Sequence, residues 1–339
     1  MADSRAPAFL TLEPSNNSET SESRLLNRSF LVKSRWRAYV QSVSNFAIFA
    51  GVLVLASRVT ISWQYCAAFF AIGCLQHRLF FPVHDCIHYS LFPSKTENSL
   101  VGTLMAPLIG TSFDAIRVQH MNHHREFGKP QDPGASDYFV HFRSRGDLIF
   151  FLLGPLFGSV VFNKLGDYIR RPSVAARQEG KSNEETSGLF MHNIRSYGVI
   201  LFVQALIAAI LTSGFTAREL WRYPAFYILP LATVFLFLNR LRMYAEHGSL
   251  DYRICNYFER KRPTARTIYP TTIERLILCG NNFNYHHEHH RYPAVPGWQL
   301  PRLHRLIGPG LDRNDIRQSY FQAMAELWRN LPVRAPARY

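Results

Sequence analysis

Four long apolar runs alternate with strongly polar, basic stretches along the chain. The first two cover residues 39–61 and about 63–83, and the other two cover residues 197–215 and about 224–243. About 20 predominantly apolar residues are enough for a helix that crosses a bilayer. Soluble proteins rarely carry four runs of this length as core helices. The pattern therefore predicts an all-α integral membrane protein with four transmembrane helices.

Two further apolar runs, residues 99–110 and 148–163, are shorter or interrupted by Gly and Pro. They are typical of interfacial or re-entrant segments, or of core helices. The sequence VKSRWR precedes the first span, and NRLRM lies at the end of the fourth. By the positive-inside rule, these flanks place both termini and the polar segments between spans in the cytosol. Arg218 and Arg222, in the connector 216–223, argue against this orientation.

The run pattern divides the chain into three parts. Residues 1–37, which include PSNNSETSES, are predicted to be a disordered cytosolic segment. Residues 38–310 are predicted to form the membrane domain, with a cytosolic helical cap that holds a di-metal site. Residues 311–339 are expected to form an amphipathic helix and a basic tail.

Composition narrows the possible partners. The 339 residues carry a formal net charge of +14 and have a mean hydropathy of −0.09. Such a charge suits an anionic membrane face or an acidic protein, and no zinc-finger or RNA-binding signature favours nucleic acid. The five cysteines include no C-x-x-C pair, so neither a disulfide framework nor an iron–sulfur site is indicated.

Three short segments concentrate the histidines. They read HDCIH, HMNHH and HHEHH, and their histidines recur at spacings of three and four residues. On a helix these spacings place imidazoles on one face, one turn apart, which is the geometry for gripping a metal. Eight histidines in these segments have this spacing and are candidate ligands. A ninth candidate, His247, follows the fourth span. The nine are His84, His88, His120, His123, His124, His247, His286, His289 and His290.

Nine imidazoles are too many for one ion and suit two metals with four or five ligands each. Imidazole binds Zn, Cu, Fe or Ni, so ligand type alone leaves the metal open. The H-E-x-x-H motif of zinc hydrolases is absent, because His287-Glu288-His289 reads H-E-H. A metal pair next to a bilayer meets acyl chains and other apolar substrates, and oxidation of their unactivated C–H bonds needs iron and O₂. Oxidation of a lipid-like substrate is therefore the leading interpretation.

The three histidine segments, with NFNYHHEHHRYPAVPGWQLPRLHRLI around the last, resemble the membrane fatty acid desaturase superfamily. The resemblance covers residues 38–306 and implies a non-haem di-iron centre, O₂ as oxidant and four transmembrane helices under a cytosolic cap. We call the three histidine segments the boxes. The family's ligand pattern falls on the eight candidate histidines of these boxes, and R-x-x-x-E-H after the last span implies His247 as the ninth ligand. The segment QDPGASDYF departs from the acidic run of many relatives, with Gly134 after Asp132-Pro133.

The resemblance implies a fatty acid desaturase that acts on an acyl-lipid or acyl-thioester. The alternative is a hydroxylase or ketolase of a lipid, carotenoid or amphipathic metabolite. A membrane electron carrier would place His pairs inside opposite spans, and a receptor offers no reason for nine aligned histidines. No G-x-G-x-x-G or haem motif occurs, so electrons are expected from a separate ferredoxin or cytochrome b5-type protein. Basic stretches at 164–181 and Arg260–Arg266 are the expected docking surface.

Other polar residues are expected to support the ligands or the fold. His77 is expected to pack or to face substrate, and His287 to point away from the metals. His141, His192 and His304 are expected to be structural. The candidates for orienting the imidazoles by accepting their second N–H are Asp85, Glu126, Asp132, Glu246, Glu288, Asn282 and Asn284.

Overall fold

The protein, seen in a computed structural model, is built almost entirely from helices. The structure describes residues 29–170, 183–251, 265–312 and 315–333. Its helices are α1 (Arg35–Ala56), α2 (Ser62–Ile87), α3 (Lys95–Met105), α4 (Phe113–Glu126), α5 (Arg145–Leu153), α6 (Ser159–Arg170), α7 (Asn183–Leu211), α8 (Leu236–His247), α9 (Thr272–Ile277), α10 (His286–Arg291), α11 (Leu300–Ile307) and α12 (Tyr320–Asn330). The predicted all-α class is confirmed, with one small addition. Strands β1 (Thr267–Ile268) and β2 (Ile316–Arg317) pair in parallel.

Three helical runs are long and apolar enough to cross a membrane. They are α1, α2 and the run Ala217–His247, which ends in α8. Two π-helical segments, Pro224–Ile228 and Leu231–Phe235, interrupt that last run before α8 begins. The predicted span at 197–215 lies mostly in α7, whose apolar part Arg195–Leu211 is shorter than the other three. Length and composition thus support a membrane protein with spans near the predicted positions.

The two interrupted apolar runs form sharply bent helix pairs. Lys95–Ile109 meets Phe113–Glu126 at 95°, and Arg145–Phe157 meets Ser159–Gly166 at 84°. Each break contains a glycine with positive φ, Gly110 (75°) and Gly158 (79°). Such backbone costs glycine little because it has no Cβ. This agrees with the expected re-entrant or interfacial segments, and counting each pair as one span gives up to five candidates.

Helix α1 begins at a polar cap and then exposes an apolar face. The Ser34 hydroxyl accepts a hydrogen bond from the Arg37 backbone N–H, which satisfies one of the unpaired donors of the first turn. Phe49 and Leu53 are buried toward α2, whereas Val43 and Leu55 are exposed. An exposed apolar face on a helix of this length suits contact with lipid.

Arg222 is buried and closes the end of α1. Its guanidinium donates to the Ala56 and Val59 carbonyls at 3.0 and 3.1 Å and pairs with Glu219. The last carbonyls of a helix lack partners within the helix and are satisfied in this way. Arg222 is therefore explained by these contacts, and it is weaker evidence against the predicted orientation than an unpaired basic residue in the connector would be.

Buried apolar clusters hold the bundle together. The largest joins α1, α2, α3 and α7, and a second joins α8 and α12 with residues after α9. A small third cluster packs Phe30 against Val295, Leu300 and Leu303. This packing brings the ends of α2 and α8 beside α4 and α10. Residues 1–28 and 334–339 lie outside the described residues, and the division at 37/38 and 310/311 stays a prediction.

Candidate metal centre

All nine predicted histidines meet at the junction of α2, α4, α8 and α10. Five of them form the first cluster, with ligand atoms within 4.8 Å of one another: His84, His88, His120, His124 and His289. The other four form the second cluster, in two overlapping groups. These groups are His123, His247 and His290, and Glu246, His247 and His286. Each cluster could hold one metal ion.

The helical register splits each three-histidine box between the clusters. In α4, His120 and His124 belong to the first cluster and His123 belongs to the second. In α10, His289 belongs to the first cluster, whereas His286 and His290, which are four residues apart, belong to the second. The expectation that each box presents a single face was therefore too simple. Two helices contribute to both clusters, which fixes the clusters side by side.

The spacing between imidazoles fits a shared ion. Two nitrogens bound at right angles about 2.1 Å from one metal lie about 3 Å apart. The Nε2 atoms in the first cluster are separated by 2.9 Å (His88–His120), 3.0 Å (His120–His124) and 3.2 Å (His124–His289). In the second cluster they are separated by 2.8 Å (His247–His286) and 3.1 Å (His286–His290).

Unpaired buried nitrogens also fit a metal. Both ring nitrogens of His84 are buried, and neither has a hydrogen-bond partner among the described residues. Leaving a buried polar atom unpaired costs about 1–3 kcal/mol. A metal ion bound at Nε2 would remove part of this penalty.

Burial also keeps the α10 imidazoles in the form that binds metals. It lowers the pKa values of His286, His289 and His290 well below their usual range, and neighbouring histidines add to the shift. At neutral pH these rings are therefore uncharged, with a lone pair available for a metal.

Asp132 orients a ligand of the second cluster. Its carboxylate lies 2.9 and 3.0 Å from Nδ1 of His123, and both residues are buried. The Gly134 N–H (2.7 Å) and the Tyr138 hydroxyl also donate to Asp132. Such a carboxylate fixes the tautomer that presents Nε2 to a metal. The predicted contact between Asp132 and an imidazole of the centre is thus present, and its effect on a bound metal stays a prediction. Gly134 in QDPGASDYF helps to hold the carboxylate.

Glu246 was predicted to orient an imidazole, but it lies close enough to the second cluster to be a candidate metal ligand itself. Its Oε2 is 3.6 Å from Nε2 of His286, within the group of possible ligands. It also accepts from Arg242 (2.6 Å) and from the Tyr320 hydroxyl (2.9 Å). The buried Arg242 lies over the ring of Phe283, 4.8 Å from its centroid. Arg242 and Glu246 are the R and E of R-x-x-x-E-H, but the motif predicts His247 and not this ion pair.

The other candidate supporting residues bind elsewhere. Asp85 lies 3.5 Å from Nδ1 of His84, too far for a good hydrogen bond, and accepts from Asn281 instead. The remaining four have the following partners: Glu126 binds Arg125 and Lys129, Glu288 binds His304 and Thr267, and Asn282 and Asn284 donate to the Gly297 and Ile268 carbonyls. None of these six contacts orients an imidazole of either cluster in the described part of the chain.

The histidines outside the predicted ligand set lie outside both clusters where they are described. Nδ1 of His77 faces the Ile277 carbonyl and Nδ1 of His287 faces the Ala265 carbonyl, each at 3.1 Å. His304 is held by Glu288, and His141 lies on the wall of a cavity. His192 is outside the described side chains.

That cavity reaches both clusters and has a volume of about 1110 Å³. Its wall includes His120 of the first cluster and His123 and His286 of the second. Phe80 and Phe283 also line it, and the bent pair Arg145–Phe157 with Ser159–Gly166 contributes many of its other lining residues. The cavity is large enough for a lipid-sized molecule next to two candidate metal sites. Its shape depends on tertiary packing, so the sequence carried no signal for it.

Comparison with known proteins agrees with this arrangement. A dihydrorhizobitoxine desaturase of Bradyrhizobium elkanii is 27% identical, with 86% of this chain and 79% of the relative covered. A beta-carotene ketolase of Paracoccus sp. (strain PC1) is 27% identical, covering 68% and 75%, respectively. A fatty acid desaturase of Bacillus subtilis is 25% identical, covering 80% and 76%. The family model for fatty acid desaturases matches residues 61–322. The chain belongs to the fatty acid desaturase family.

Proposed function

We propose that this protein is a membrane-bound, O₂-dependent desaturase that forms a C=C bond in an acyl chain, carried on a lipid or as a thioester. The observation that supports this most is the meeting of nine imidazoles in two clusters, each of which contributes to the wall of one cavity. Two iron ions are the proposed cofactor. Iron held at the two clusters would supply the activation of O₂.

The chain's own residues provide the ligands, the orientation and the enclosure. The nine histidines would hold the ions, with Asp132 orienting His123. The Phe80 and Phe283 rings beside them would exclude water from the reacting carbons. Desaturation removes two hydrogens from adjacent CH₂ groups. O₂ takes up two electrons from the substrate and two from a donor and, with two further protons, leaves as two waters.

A second candidate is a hydroxylase or ketolase of a lipid, carotenoid or amphipathic metabolite. The similarity to a beta-carotene ketolase favours it as an alternative. The same clusters and cavity would serve both reactions, because the outcome depends on how substrate carbons are positioned. A hydroxylase inserts one oxygen atom into a C–H bond, whereas a desaturase adds no oxygen to its product.

The electron donor is proposed to be a separate ferredoxin or cytochrome b5-type protein in the cytosol. The sequence has no G-x-G-x-x-G fingerprint for a nucleotide cofactor. Of the two basic stretches predicted to dock the donor, residues 171–181 and 260–264 lie outside the described residues. The docking surface therefore stays a prediction, as does the cytosolic location of both termini and the metal centre.

Expression in a lipid-producing host, followed by lipid profiling, tests the proposal. A product that has lost two hydrogens supports desaturation, and a product that has gained oxygen supports the alternative. His120→Ala and His289→Ala should each abolish turnover while membrane insertion is retained. His287→Ala is the matched control, because this histidine lies between ligands but faces the Ala265 carbonyl. Turnover close to normal in the His120 or His289 variant would refute the site.

A further inference from the structure

The cavity wall carries charged side chains as well as apolar ones. Arg240, Lys164, Asp137 and Asp147 line it together with aromatic and aliphatic residues. Arg240 lies seven residues before the end of the run Ala217–His247, close to the metal centre. A charged side chain that lines a cavity can bind a polar group of the molecule inside it.

One edge of the Arg240 guanidinium lacks a hydrogen-bond acceptor in the described part of the chain. Nη1 donates to the Phe151 carbonyl at 3.2 Å, and the Phe151 ring lies 4.7 Å from the guanidinium carbon. Nε is buried and has no hydrogen-bond partner among the described residues. Nη2 faces Asp137 at 3.6 Å, which is an ion-pair distance too long for a hydrogen bond. The Nε–Nη2 edge is thus held in place, and it is open in the sense that neither N–H has a hydrogen-bond acceptor among the described residues.

That edge is the part of an arginine that binds two oxygens at once. Carboxylates and phosphates match its two parallel N–H groups, and such bidentate pairs are among the strongest hydrogen bonds in proteins. Asp137 and Asp147 carry two negative charges on this wall, and Arg240, Arg242 and the exposed Lys164 carry three positive ones. The wall therefore offers both charge and geometry to an anionic group.

The position of Arg240 fixes its distance from the metal centre. Arg240 and the predicted ligand His247 lie seven residues apart in α8, almost two full turns, and thus on the same helix face about 10 Å apart. Met243, one turn from each, also lines the cavity. An anion on Arg240 would leave the rest of a chain-like molecule directed along α8 toward His123 and His286.

We propose that the Nε–Nη2 edge of Arg240 binds the carboxylate or phosphate oxygens of an amphipathic substrate and so sets which carbons reach the metal centre. This rests on the proposed function and narrows its substrate class. An acyl chain with an anionic group pairs the open edge. A carotene-like hydrocarbon in the same cavity leaves the Nε–H buried and unpaired, which is costly.

Equilibrium binding to metal-loaded protein in nanodiscs of neutral phosphatidylcholine tests the proposal. The probes share one chain length: dodecanoate, dodecyl phosphate, and the uncharged methyl dodecanoate and dodecanol. At least one anionic probe should bind about tenfold or more tightly than the uncharged pair, as hydrogen bonds to charged groups imply. The preferred anion then distinguishes a carboxylate from a phosphate.

Variants test whether the preference for anionic probes depends on Arg240. Arg240→Gln should abolish the anion preference, and Arg240→Lys should keep only part of it, because lysine lacks the fork. Arg218→Gln is the matched control, since this exposed arginine begins the same helical run outside the cavity. Equal binding of charged and uncharged probes to the unaltered protein overturns the proposal, and this comparison needs no variant to fold. A preference that survives Arg240→Gln overturns it as well.

The binding result is independent of turnover. An anion preference that depends on Arg240, together with no oxidised product in the host, would retain this site and reject the proposed function. Oxidised product without any anion preference would retain the function and reject this site.

Discussion

Nδ1 of His123 lies 2.9 Å from one carboxylate oxygen of Asp132 and 3.0 Å from the other, and both side chains are buried. Carboxylates that orient a metal-binding histidine typically contribute about 10–100-fold to metal affinity. Asp132→Ala should therefore weaken the second cluster by about this factor and leave the first cluster unchanged. Asp132→Asn should have a smaller effect, since its amide oxygen still accepts the Nδ1 hydrogen bond. Titration of Fe²⁺ against a competing chelator measures both sites.

Glu126→Gln provides the control for this prediction. Glu126 lies three residues after His123 and, like Asp132, is a carboxylate close to a box, but it pairs with Arg125 and Lys129. Its replacement should leave both metal affinities unchanged. Equal weakening in the Glu126 and Asp132 variants would show that the His123–Asp132 contact has no specific role.

The division of α4 between the two clusters gives a second prediction. His120→Ala with His124→Ala removes two ligands from the first cluster, so one tight metal site should remain. His123→Ala with His124→Ala removes one ligand from each cluster, so both sites should weaken. Each double variant loses two histidines from one helix, and each is therefore the control for the other. The same number of tight sites in both would contradict the division.

The boxes show what a sequence can and cannot predict about such a site. Spacings of three and four residues predicted eight of the clustered histidines, because these spacings are a local property of a helix. The ninth, His247, was predicted from its position after the fourth span and from the family motif. The spacings did not predict that His123 and His124 serve different clusters. Neighbouring residues on a helix point about 100° apart, and only the packing of α4 against its neighbours decides which direction meets which partners.

The same limit explains the supporting residues. Asp132 and Glu126 are both carboxylates near the second box, and only the fold of the loop after α4 brings one of them under His123. Three of the four predicted spans coincide with helical runs long enough to cross a bilayer, because burial in lipid requires a long apolar segment wherever it occurs, whereas the apolar part of the predicted span at 197–215 is shorter. The cavity and the open edge of Arg240 depend on contacts between distant segments, which no local pattern records.

Glu288 and His304 give a third prediction, about stability. The fully buried Glu288 accepts from Nδ1 of His304 and from the Thr267 hydroxyl, which joins α10 to α11 and β1. His304→Ala leaves one oxygen of Glu288 without this partner and should destabilise the protein by about 1–3 kcal/mol. Loss of the monodisperse protein after heating in detergent measures the apparent Tm.

His141→Ala is the control for the stability prediction, because His141 is exposed. Its apparent Tm should stay close to that of the unaltered protein. If His304→Ala and His141→Ala melt at the same temperature, the buried contact with Glu288 contributes nothing to stability. Metal content should be unchanged in both variants, since neither residue lies in a cluster.

The last prediction concerns the side of the membrane on which the metal centre lies. Helix α2 ends just before His88, and the run Ala217–His247 ends at a second-cluster histidine, so both meet at the same face. A helix of the length of Ala217–His247 extends about 46 Å at 1.5 Å per residue, enough to place its two ends on opposite sides of a bilayer. With Cys66, Cys74 and Cys255 replaced by Ser, Gln131→Cys should react with an impermeant thiol reagent only from the cytosol. Ala217→Cys should react only from the outer side. Labelling of both positions from the same side would reject the span that separates them, and labelling of residue 131 from outside would reverse the orientation inferred from the basic flanks.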